Sequence, residues 1–133
     1  NRSVLMMRAP GVSEPGMKTG ALAETIDLYP TLKDLCQPSF SETRFPLDGN
    51  SLTPVLKGDA TVRDTAISYW GDAVSVRSRT HRLIAKIQKK KIVRTELYDL
   101  SKSQDSIENL AESENETVAR LVKKIPSQLL AGE

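Results

Sequence analysis

The chain has 133 residues, with 19 Lys+Arg against 17 Asp+Glu, 38% hydrophobic residues and 27% charged ones. That is the size and composition of one ordinary globular domain, able to bury roughly two-thirds of the surface its unfolded chain exposes. A disordered or fibrous chain is excluded, and the longest apolar run, Val4-Leu5-Met6-Met7, is far short of the roughly 20 residues of a membrane-spanning helix. Cys36 is the only cysteine and His81 the only histidine, so internal disulfides, cysteine-rich zinc sites and sites needing two imidazoles are also excluded. A self-contained hydrolytic centre is hard to build from that inventory.

In chain order, Val4 to Arg8 reads as a buried strand ending at the turn Ala9-Pro10-Gly11. It follows Asn1-Arg2-Ser3 with neither an initiator Met nor a signal peptide, so we expect a piece of a longer protein. In such a piece this strand lacks its neighbours. Residues 12–20 form a Gly/Pro/Ser-rich surface loop and residues 21–26 an extended segment. A helix is predicted from Asp27 as N-cap, with Pro30 in its first turn and Leu28, Leu32 and Leu35 on one apolar face. Gln37-Pro38-Ser39 stops it, leaving Cys36 as a small buried residue at the helix end. Residues 38–65 are loop-rich, with one helical turn at 51–56 capped by Ser51.

From Thr65 the pattern changes to short runs separated by brief turns: 66–70, 73–77, 82–87 and 92–100, with Lys89-Lys90-Lys91 as a hairpin tip. This predicts an antiparallel meander with one covered face. After a polar stretch, a last helix is predicted from a capping box of Ser113 and Glu116, with Val118, Leu121, Val122 and Ile125 as its apolar stripe. The fold class is therefore α+β: a four-stranded antiparallel sheet with a C-terminal helix, preceded by a strand-helix piece of an α/β layer.

Several segments then resemble one family. Leu5-Met6-Met7-Arg8-Ala9-Pro10-Gly11, Glu24-Thr25-Ile26-Asp27-Leu28-Tyr29-Pro30-Thr31-Leu32 and Leu47-Asp48-Gly49-Asn50-Ser51-Leu52-Thr53-Pro54-Val55-Leu56 are similar to segments near the end of type I sulfatases, of the alkaline-phosphatase-like superfamily. Ser75-Val76-Arg77-Ser78 with Arg82-Leu83-Ile84, and Glu96-Leu97-Tyr98-Asp99-Leu100 with Glu108-Asn109-Leu110-Ala111, resemble their small C-terminal subdomain. The nearest branches are the iduronate-2-sulfatase-like and arylsulfatase-like ones. One departure is Ser103-Gln104-Asp105-Ser106, where the family usually has an Asp-Pro-x-Glu turn.

The resemblance implies that residues 1–60 end the large α/β sulfatase domain and residues 65–133 form the small subdomain. It implies a whole enzyme, a sulfuric ester hydrolase, that removes sulfate from the ester of a sulfated sugar. Its cofactors would be a calcium ion and a formylglycine made in a Cys/Ser-x-Pro-x-Arg motif, both in the part upstream. Cys36 does not fit that motif, because the residue four positions on is Phe40 rather than Arg. No catalytic or metal-binding residue is therefore expected in this chain, which should be inactive alone. Its partners would be the rest of the sulfatase chain and a sulfated small molecule or glycan, with no nucleic acid and no membrane. The parent enzyme would be periplasmic or secreted.

In that family the small subdomain leans over the substrate pocket, which makes Tyr69, Trp70, Arg77 and His81 candidates for a substrate-binding rim. Read without the family, Trp70 is expected to pack in a core or between domains, and His81 to sit in a surface turn. The sequons Asn1-Arg2-Ser3 and Asn115-Glu116-Thr117 matter only in a eukaryotic secretory host.

Charge is unevenly spread. Residues 73–95 carry Arg77, Arg79, Arg82, Lys86, Lys89, Lys90, Lys91 and Arg94 with no acid, whereas residues 96–116 carry seven acids against Lys102. Either the two segments compensate each other, or the Arg77–Arg94 surface makes the chain a stand-alone polyanion-binding module. Nucleic acid is disfavoured as the polyanion, because aromatic residues make up 5% of the chain and none interleaves with the basic run.

Overall fold

The computed structural model describes residues 3–39, 44–59, 61–103 and 105–130. Asn1 and Arg2 of the first sequon, Phe40, and Gln104 of the altered turn lie outside them. The chain divides into two compact units, Asn1–Asp64 and Thr65–Glu133.

In the first unit, a short 3-10 turn, Thr25–Asp27, runs directly into helix α1, Leu28–Cys36, and helix α2 spans Thr53–Leu56. Residues 3–9 belong to no strand, which corrects the strand predicted from Val4 to Arg8; Val4 and Met6 are 84% and 86% exposed. A strand needs a neighbour to take up its backbone N–H and C=O groups. None of the described residues provides one here. Helix α1 also turns differently from its apolar stripe. Leu32 is 52% exposed, while Pro30 and Thr31 are buried. Its end falls as predicted, with Gln37 in the left-handed region at φ 43°, but Cys36 is exposed rather than buried.

The buried side is held by polar groups. Asp27, fully buried, does not cap α1 with its side chain. Its carboxylate instead accepts the backbone N–H of Glu24 at 2.7 Å and of Asn50 at 2.8 Å. The Arg63 guanidinium pairs with the same carboxylate and, at 2.9 Å, with Glu24. Pairing and hydrogen bonding make burial of this charge tolerable. The Thr31 hydroxyl donates to the carbonyl of Asp27 at 2.5 Å and accepts the N–H of Leu52 at 2.8 Å. Gly49 passes so close that a Cβ there would overlap the carbonyl oxygen of Ile26. Before α2, the Ser51 hydroxyl accepts the N–H of Thr53 at 3.2 Å, close to its predicted capping role.

The second unit is the predicted antiparallel meander. Strands β1 (Ala66–Trp70), β2 (Ala73–Arg77), β3 (His81–Gln88) and β4 (Lys91–Asp99) lie in the order β1-β2-β3-β4. Helix α3, Asn115–Val122, covers one face. Successive strand residues alternate between faces, so Val74, Val76, Leu83, Ala85 and Leu97 meet Leu121 and Ile125 in the core, with Ile67, Val118 and Val122 at its margin.

The predicted capping box does not form. Ser113 donates to the carbonyl of Leu110 at 3.2 Å, and α3 starts two residues later with Glu114 as N-cap. Before it, Asn109 closes the outer side of β4: its Oδ1 accepts the N–H groups of Leu97 at 2.9 Å and Ala111 at 3.0 Å. The N–H of Leu110 then donates to the carbonyl of Leu97 at 2.8 Å. At the β3–β4 tip, Lys89 and Lys90 both adopt positive φ, 49° and 61°.

Candidate functional site

The sheet face turned away from α3 holds most of the chemistry-bearing side chains of the second unit. Three rows follow from the strand register. Ala66, Arg77, Arg82 and Tyr98 form one; Ser68, Ser75, Ile84 and Glu96 the next; Trp70, Ala73, Lys86 and Arg94 the third. A register shift after Lys86 marks a bulge in the β3–β4 pairing.

The charges are partly matched. Lys86 Nζ lies 3.2 Å from Asp72, Arg94 Nη2 lies 2.8 Å from Glu96, and the Arg82 guanidinium stacks over the Tyr98 ring at 5.3 Å. Arg82 Nε is buried without a hydrogen-bond partner. The Tyr98 hydroxyl donates to Glu96 at 2.7 Å, and this bond, with partial burial and the Glu96 charge, raises the phenol above its usual range. Hydrogen bonds from Gln88 and Lys86 hold the exposed Asp72 carboxyl below its usual value. Of these pairs only Arg94–Glu96 joins the basic segment to the acidic one; Asp72 precedes both.

The four rim candidates do not share one place. Trp70 and Arg77 lie on the same face but four ladder positions apart, about 13 Å at strand spacing. Trp70 is 81% exposed rather than packed as a sequence reading without the family expects. Tyr69 pairs with Val74 and so lies on the α3 side, at the sheet margin and half-exposed. His81 opens β3, also on the α3 side. Its Nε2 lies 3.3 Å from Glu114 and its Nδ1 2.9 Å from the Thr80 hydroxyl, so it ties β3 to the start of α3. Tyr98 and Glu96 were not singled out from the sequence, although alternation counted from Arg82 across to β4 places both on the cationic face. Among the described residues no three His, Cys, Asp or Glu side chains gather as metal ligands, and no helix is long and apolar enough to cross a membrane.

No protein-family model matches the chain, and no curated protein matches it. Solved structures do. One is BT4656 in complex with its substrate D-glucosamine-2-N,6-O-disulfate, at 20% identity and TM-score 0.58, covering 74% of this chain and 22% of that one. Two others come from work on the metabolism of multiple glycosaminoglycans by Bacteroides thetaiotaomicron. BT33494S-sulf matches at 20% identity and TM-score 0.63, over 84% of this chain and 27% of its own. BT33336S-sulf matches at 20% identity and TM-score 0.58, over 77% and 24%. The chain thus spans about a quarter of the length of these proteins. It has the fold found in that part of bacterial glycosaminoglycan sulfatases.

Proposed function

We propose that this chain is the C-terminal portion of a sulfatase whose whole protein hydrolyses sulfate esters of sugars. The observation that most supports this is the match to BT33494S-sulf over 84% of this chain and only 27% of that protein. The sulfated glucosamine bound by BT4656 supports a sulfated sugar as substrate. On this reading residues 1–60 finish the large α/β domain, the segment Val4 to Arg8 adds to a sheet supplied upstream, and residues 65–133 are the small subdomain. Its task is to complete the fold and shape substrate access. Trp70 and Arg77, sharing the face opposite α3, are the rim residues we retain; the contacts of His81 with Glu114 and Thr80 favour a structural role for it.

On this reading calcium and the formylglycine belong upstream. Cys36 is followed by Gln37-Pro38-Ser39-Phe40, which lacks the Arg of the Cys/Ser-x-Pro-x-Arg motif. The parent would act in the periplasm or outside the cell, with the rest of its chain and a sulfated sugar as partners. The reading frame upstream of Asn1 tests this. A Cys/Ser-x-Pro-x-Arg motif a few hundred residues earlier is expected, and a frame without one overturns the reading. This chain alone, given an aryl sulfate and calcium, should show no turnover above background.

A further inference from the structure

The β3–β4 hairpin ends in Lys89, Lys90 and Lys91, all exposed, and none of them has an ion-pair partner among the described residues. Lys89 and Lys90 hold positive φ, where Asn and Gly are the favoured residues. Strain kept at a turn points to side chains that are needed there. Leu97 lies about 20 Å along β4 from Lys91 at strand spacing. Beside Leu97, on the same outer margin, Asn109 and Leu110 hold the loop that carries Asp105, Glu108 and Glu112. These acids are exposed and also lack ion-pair partners among the described residues. Lys102, the one cation in residues 101–112, is set against Asp99. The margin also exposes two apolar side chains, Val93 at 52% near the tip and Ile107 at 92% in the loop.

We infer that this margin of β4 binds a second copy of the chain in a two-fold dimer, with the lysine tip of each protomer on the acidic loop of its partner. A two-fold axis beside the middle of β4 sets the two strands antiparallel and brings each tip to the other's loop. Both contacts then form at once, and the assembly closes on itself. The same operation carries Val93 of one protomer to the side of Ile107 of its partner. The contact is made by side chains and shares no backbone ladder. Charges that one protomer leaves unmatched are matched between copies, and opposite charges placed this way fix the register of the pair. No sulfate ester enters the contact, and the upstream reading frame that decides the sulfatase reading leaves it untouched.

The test is sedimentation velocity of this chain over a range of concentrations, at low and at high salt. Wild type should dimerise at low salt and dissociate as salt screens the pairs. Lys89→Glu with Lys91→Glu should sediment as a monomer, and so should Glu108→Lys with Glu112→Lys. Mixed in equal amounts, these two variants should restore the dimer, because a reversed tip meets a reversed loop and a native tip a native loop. Lys123→Glu with Lys124→Glu, the same charge change at the exposed C-terminal end of α3, should leave the wild-type dimer intact. Ile107→Ser should weaken it about tenfold at every salt concentration. All these side chains are at the surface, and circular dichroism checks that each variant is folded. A monomeric wild type at low salt overturns the inference, and so does growth beyond the dimer. A mixture that stays monomeric overturns it too, as does undiminished dimerisation of Ile107→Ser or a loss in the α3 variant equal to that in the tip variant.

Discussion

The hydroxyl of Thr31, in the first turn of α1, accepts the backbone N–H of Leu52 at 2.8 Å, joining two segments 21 residues apart. Asp27, four residues earlier, does the same for Asn50 at 2.8 Å. The two longest stretches of family resemblance in the first unit are therefore the two sides of one polar clamp.

Thr31→Val keeps the shape and removes the hydroxyl, leaving the Leu52 N–H buried without a partner. A loss of about 1–3 kcal/mol in the first unit is expected. Amide exchange should show it as faster exchange at Leu52, and Thr31→Ser should restore protection. Unchanged exchange in Thr31→Val would show that the Thr31 hydroxyl does not protect this N–H.

Gly49→Ala tests the other side of the clamp. The added methyl meets the backbone of Ile26 and Asp27, which cannot rotate away as a side chain can. Destabilisation on the order of 1–3 kcal/mol is expected from such overpacking. The urea midpoint of the first unit should fall while that of the sheet unit stays fixed.

The sheet was the most legible part of the sequence, because period-2 alternation broken by Gly71-Asp72 and by the lysine tip sets both strand and turn. Elsewhere local pattern misled. Leu32 fits an apolar stripe, but the Asp27 and Thr31 polar contacts decide which side of α1 goes inward. Ser113 and Glu116 have capping-box spacing, yet Ser113 is drawn to the carbonyl of Leu110 and the helix begins later. Val4 to Arg8 has the composition of a buried strand, and composition does not supply a partner. For the candidate site, the basic run was visible in the sequence. That Arg77, Arg82, Lys86 and Arg94 share a face with Trp70 needed the register.

At the hairpin tip, two consecutive lysines hold positive φ, which costs an L-residue roughly 1–2 kcal/mol each. Asn and Gly are the residues that two-residue hairpins of this kind favour. Lys89→Asn with Lys90→Gly should therefore raise the thermal midpoint of the sheet unit, by a stabilisation of about 1 kcal/mol or more. A lower midpoint would show that the lysines make compensating contacts.

Tyr98 gives a pH prediction. Its folded pKa is raised above the usual phenol value of 10.0, first by the hydrogen bond to Glu96. The associated stability is present below about pH 10 and is lost as pH rises through the raised folded value. Ultraviolet titration should show one phenol ionising late, and Glu96→Gln should bring it back toward 10.0. A titration curve indifferent to that substitution would remove Glu96 as the cause.

Asn109 also governs what the sheet can do in company. It and Leu110 take up both the N–H and the carbonyl of Leu97, near the C-terminal end of outer strand β4. Those are the groups that a fifth strand from another copy would have to engage there. The chain thus carries its own stopper on the β4 side, and Asn109→Ala would give concentrated samples a place to begin stacking sheet on sheet edge.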